Sequence, residues 1–122
     1  MATRTSRTTQ IYIMVQPATG DLTVSPTSAR VDSEGNVQWT LLAFGGVQPA
    51  PKGRFHLPVL TPKGEFLLLF DDDAGFGTPE LRSVGGKGRL TAQRRGIYHY
   101  QVAAAADGQV YADVYCPSII IR

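Results

Sequence analysis

The residues of this 122-residue chain that are able to do chemistry are few. One cysteine, Cys116, and two histidines, His56 and His99, are its whole stock of thiol and imidazole groups. A nucleophile needs a base within hydrogen-bond reach, and His99 and Cys116 meet that need only if their strands are neighbours. Otherwise an isolated cysteine ahead of a strand reads as an inert small hydrophobe. Asp71-Asp72-Asp73 offers oxygen donors to Ca²⁺ or Mg²⁺, with Gly75 and Gly77 to let a loop wrap an ion. Adjacent residues of an extended segment point opposite ways, however, and the spacing of ion-binding loops is missing, so a solvated turn is expected. Ser83-Val84-Gly85-Gly86-Lys87-Gly88-Arg89 has the composition of a phosphate cradle but not the Gly-x-x-x-x-Gly-Lys-Ser/Thr order, and no helix follows it. No carboxylate pair or Ser-His-Asp spacing occurs. The expectation is a protein with no catalytic residues, no metal and no cofactor.

Charge gives one further candidate. Twelve Lys and Arg against ten Asp and Glu leave a formal charge of +2, too little by itself to imply a nucleic-acid or membrane partner. Yet Arg82, Lys87, Arg89, Arg94 and Arg95 follow one another without an acid between them. Joined by Arg4 and Arg7, they would make a basic surface for nucleic acid or another polyanion. A solvated loop is the plainer reading, so polyanion binding stands as the alternative function.

The elements that must position these residues read as strands. With 43% hydrophobic residues, 13 Gly and 8 Pro spread between short apolar runs, the chain suits one all-β domain. Residues 1–9 form a polar Thr/Arg/Ser arm expected to be flexible, and residues 10–122 form the domain. Ile11 to Val15, Leu22 to Val24 and Ala29 to Val31 are β-branched runs, the first two parted by Pro17 and Gly20-Asp21 and the last two by Ser25-Pro26. Asn36 to Leu41 alternates, placing Val37, Trp39 and Leu41 on one buried face. Arg54 to Leu60 contains Pro58, which argues for an edge strand or a bulge. After the Pro62-Lys63-Gly64 turn comes the apolar run Glu65 to Phe70. Leu81 to Ala92 is glycine-rich and expected to be irregular or a broken hairpin. Gly96 opens a final hairpin turning at Ala106-Asp107-Gly108, and Ile119 to Ile121 closes the chain. Seven or eight strands at this spacing make a sandwich or small barrel. No apolar run reaches membrane-spanning length, and the run after the basic N-terminus is too short for a secretory core, so a cytoplasmic location is expected.

Two segments resemble a known family. Gly96-Ile97-Tyr98-His99-Tyr100-Gln101-Val102 resembles the end of the cupredoxin fold, where Gly-x-Tyr-x-Tyr/Phe-x-Cys delivers a thiolate to copper. Val24, Pro26, Val31, Glu34-Gly35, Val37 and Trp39 resemble the early part of the same pattern. The resemblance implies a Greek-key β-sandwich of cupredoxin-like topology, with an immunoglobulin-like sandwich as the runner-up. It also implies a copper site whose parts are missing here. His56 would stand at the first ligand, Val102 replaces the cysteine, and the stretch to Val114 supplies neither His nor Met. A valine cannot substitute for the soft thiolate that holds such copper.

Phe66-Leu67-Leu68-Leu69-Phe70 is apolar on both faces, as are Ile119 to Ile121 and, through Tyr12 and Met14, Ile11 to Val15. A sandwich strand normally shows water one polar face, so something must cover the second. The expected function is therefore a structural or protein-binding module that forms a homo-oligomer, with Phe66, Leu67, Leu68, Leu69, Phe70, Tyr12 and Met14 as interface candidates.

Overall fold

The computed structural model describes residues 8–16, 19–49, 56–61, 64–106, 108–113 and 116–122, and among them every regular element is a strand. The elements are β1 (Thr8–Gln16), β2 (Asp21–Ser25), β3 (Ser28–Val31), β4 (Asn36–Pro49), β5 (His56–Thr61), β6 (Glu65–Phe70), β7 (Glu80–Arg82), β8 (Lys87–Thr91), β9 (Gly96–Ala106), β10 (Gln109–Ala112) and β11 (Ser118–Ile121). The first sheet runs β2-β1-β4-β5, with β8 also on β4. The second runs β3-β11-β9-β6-β7, with β10 also on β9. Both are mixed. β1 lies parallel to β4, β3 parallel to β11, and the other pairs are antiparallel.

One core joins the sheets. Ile11, Ile13, Val15, Val37, Trp39 and Leu41 enter it from the first sheet and Phe66, Leu68, Tyr98, Tyr100, Val102 and Ile119 from the second. The alternation read in Asn36 to Leu41 is the observed one, and Trp39 is fully enclosed. Its ring meets Phe70, Phe76 and Tyr100 edge to face, with centroids 6.2, 5.9 and 5.9 Å away. Its Nε1 donates to the Tyr100 hydroxyl at 3.3 Å. Burial pushes the Tyr100 phenol up to about 12; the Trp39 hydrogen bond works against that shift and the Asp113 charge adds to it.

Several boundaries differ from expectation. β1 starts at Thr8, inside the expected arm, because Thr8 and Thr9 pair with Asn36 and Val37. β4 runs on past Leu41, where the alternation was read; Gly45 and Gly46 absorb a register shift between Phe44 and Val47, and pairing with β5 resumes to Pro49. Pro58 lies in β5, at the end of the first sheet's strand path, where an edge strand was expected. The stretch expected to be irregular is two strands belonging to different sheets: β7 pairs with β6, and β8 with β4. Gly85 and Gly86, at φ +63° and +75°, turn the chain from one to the other, and Gly86 accepts the Leu41 amide at 2.8 Å. These additions bring the described strands to eleven. Residues 1–7 of the arm, Pro17, Arg54, Phe55, Pro62, Lys63, Asp107, Val114 and the side chain of His56 lie outside the described residues.

Candidate functional site

The period of two in β6 divides the expected interface. Phe66, Leu68 and Phe70 turn inward and belong to the core, so they are corrected from interface to packing residues. Leu67 and Leu69 turn outward on the second sheet, and Leu69 is 44% exposed. Tyr12 and Met14 turn outward on the first sheet, the opposite side of the sandwich. Their candidate roles therefore fall on two separate faces.

On the second sheet's outer face, register places Leu67 beside Ala103 and Leu69 beside Gln101, while Val110 of β10 stands beside Ala105 and Ile97 beside Ile120. Ala103 and Ala105 are short, so the space above them is a groove of about 380 Å³ between Leu67 and Val110, with Glu65 and Arg82 also lining it. Val110 is 80% and Ile97 65% exposed. Sequence reasoning noticed Leu67 and Leu69 but missed the alanine floor. Its signal was the run Ala103 to Ala106, in which alternate members share a face.

The basic residues, contiguous in sequence, are dispersed in space. Arg82 lies on the second sheet, its Nε 3.7 Å from a Glu80 carboxylate oxygen. Lys87 and Arg89 lie on the first sheet, exposed, and Arg89 Nη2 donates to Thr8 Oγ1 at 2.7 Å. Arg94 and Arg95 occupy the turn before β9, where the Tyr98 hydroxyl donates to the Arg94 carbonyl at 3.0 Å and lies 3.2 Å from that of Arg95. The five do not form one surface. The chain's change of sheet between β7 and β8 separates them. Glu65 fixes that change: its carboxylate accepts Ser83 Oγ and, at 3.1 Å, the Gly85 amide. The Ser83 hydroxyl above all holds the Glu65 carboxyl below the ordinary carboxylate range.

His99 and Cys116 do come onto one side of the second sheet, since β9 and β11 are neighbours with His99 opposite Ser118. With Leu69, Asp71 and Gln101 they line a groove of about 270 Å³. Asp71, Asp72 and Asp73 are exposed, and their turn is closed by its own bonds: Ala74 N donates to Asp72 Oδ1 at 2.9 Å and Gly77 N to the Asp73 carbonyl at 2.7 Å. Among the described residues no three His, Cys, Asp or Glu side chains come close enough to hold a metal ion.

The position where the resembling family carries its cysteine is Val102, 2% exposed in the apolar core, with no lone pair to offer. His99 points away from that core and Cys116 is exposed. The described residues do not fit a type 1 copper centre.

Mixed sheets separate this sandwich from the immunoglobulin type, whose two sheets are antiparallel. The fold is a cupredoxin-like β-sandwich with a valine at the cysteine position. No protein-family profile matches the chain, and no curated protein does. Among solved structures it is similar to a novel purple cupredoxin from Nitrosopumilus maritimus, at 16% identity over 93% of this chain and 99% of that one, with a TM-score of 0.49. It is also similar to a mutant of amicyanin in its reduced Cu(I) form, at 11% identity over 93% of this chain and 82% of that one, with a TM-score of 0.42.

Proposed function

We propose that this chain is a non-catalytic binding module that assembles with copies of itself through the outer face of its second sheet. The observation that carries the reading is the alanine-floored groove between Leu67 and Val110, with exposed Leu69 next to it on β6 and exposed Ile97 further along β9, beyond Gln101 and His99. An uncovered row of this kind costs solubility in a monomer, and a second copy offering its own Leu69, Ile97 and Val110 would remove it from water. Glu65 and Arg82 beside the groove bring opposite charges that a two-fold related copy would meet in reverse. Light scattering coupled to gel filtration tests this. The wild type is expected to run above its monomer mass at micromolar concentration, and Leu69→Lys with Val110→Glu, both outward substitutions, to return it to a monomer that still unfolds cooperatively, at a midpoint that no longer depends on protein concentration. A wild type that stays monomeric at high micromolar concentration overturns the reading.

A further inference from the structure

The outer face of the first sheet is a second surface of different chemistry. β1, β4 and β8 lie side by side there in register. Tyr12 stands opposite Thr40 and Thr40 opposite Lys87; one row along, Gln10 stands opposite Gln38 and Gln38 opposite Arg89. Between these rows Ile11 and Trp39 turn into the core, and a side chain at Gly88 would strike Leu81, so the six residues all belong to the outward set by alternation, Thr40 among them being closed in by its neighbours. Tyr12 is 41% exposed, and Lys87 and Arg89 are exposed. Neither row contains an acid; the acid of β2 that pairs with β1, Asp21, stands opposite Gln16, at the far end of the strand.

We infer that this face binds single-stranded nucleic acid, with Tyr12 as the platform for an unpaired base and Lys87 and Arg89 as seats for phosphates. Tyr12 keeps an exposed aromatic ring in mid-sheet on which a base can lie, while its neighbour Thr40 is only 8% exposed and raises nothing above it, and every base has a π-face to offer. Lys87 is two strand spacings away, about 10 Å, so a base on the ring and the sugar-phosphate chain beside it are engaged together. Arg89 is held by one bond to Thr8, which leaves its other guanidinium N–H groups for a phosphate. Gln38, on β4 between the ring of β1 and the cations of β8, presents an amide where a base edge would fall, and Gln10 stands beside the ring on β1. A duplex hides the faces of its bases and gains nothing from Tyr12. A merely polyanionic partner would use the cations and ignore the ring. Only an unpaired strand uses both.

Fluorescence anisotropy of the full chain with a labelled single-stranded oligothymidylate, and with the duplex of equal length, tests the inference. The expected result is saturable binding of the single strand at low salt, with log K falling against log salt at a slope of about −1.4 for two phosphate contacts. Tyr12→Ala is expected to weaken binding about tenfold, whereas Tyr12→Phe retains it. Lys87→Gln with Arg89→Gln is expected to weaken binding and flatten the salt slope. All these positions face out, so Trp39 fluorescence and the unfolding midpoint serve as checks that each variant is folded. Absence of saturable binding at low salt overturns the inference. So does a folded Tyr12→Ala variant that binds as well as the wild type, and so does a duplex bound as tightly as the single strand.

Discussion

Tyr100 and Trp39 form the most consequential pair of side chains in the molecule. Each comes from a different sheet, and their hydrogen bond satisfies the indole N–H in the middle of an apolar core. Truncating Trp39 to Ala should cost about 3 to 5 kcal/mol, near the whole stability of a small domain, as measured by denaturant unfolding. Tyr100→Phe is the finer probe. It leaves the indole unpaired at a cost of about 1 to 3 kcal/mol at neutral pH. It also changes the alkaline limb. The phenol is raised in the folded state to about 12, above its unfolded value of about 10, so its contribution is intact below pH 10 and lost as pH climbs toward 12. Unfolding midpoints recorded over that window should fall more steeply for the wild type than for Tyr100→Phe. Trp39 was legible as a core residue because it alternates with Val37 and Leu41. Phe76, which completes the ring cluster, was not, since it sits in a loop where no period marks the inward side.

At the scale of elements, the segment from β6 to β8 shows where a sequence stops being informative. The apolar period of β6 was readable, but with both sets apolar nothing in Phe66 to Phe70 says which set is inside. The neighbours decide: Phe66, Leu68 and Phe70 are inward because Ala104, Val102 and Tyr100 beside them are. The glycines after Ser83 announced a turn, yet the exchange of one sheet for the other depends on groups distant in sequence, Glu65 and Leu41. For the same reason the basic run was legible as a cluster of charge and its dispersal was not. The Glu65 clamp makes a prediction. Its carboxyl is lowered in the folded state, so the stabilisation it gives is present above the ordinary carboxylate pKa, about 4.3, and is lost as pH falls below it. Glu65→Gln should flatten the dependence of the thermal midpoint on pH between about 5 and 3. Amide exchange at Gly85 should be faster in that variant at neutral pH and no different from wild type in acid.

For the molecule as a whole, the two proposed surfaces lie on opposite faces with the core between them, and no residue is shared. Changes on one face should then add to changes on the other. Tyr12→Ala is expected to leave the mass in solution unchanged, and the monomeric Leu69→Lys, Val110→Glu variant to keep the wild-type affinity for a short oligonucleotide that one copy can fill. A longer strand spanning two copies should bind the assembly more tightly than the monomeric variant, through effective concentration alone. The sandwich and its resemblance were readable from the closing hairpin and the Trp39 strand, because strand period and turn residues are local properties. Which face meets what is a property of register, and register is set by pairings that span most of the chain. One of these, the parallel match of β3 with β11, joins Ser28 to Ser118, 90 residues apart. Considered in time, that pairing means that, among the described strands, β3 has no ladder partner during synthesis until residues 118–121 arrive. A loop of that length closes slowly, and Ala29 and Val31 stay on an open edge meanwhile. The arrival of β11 is therefore also the moment at which one of the two edges of β3 is withdrawn from neighbouring chains.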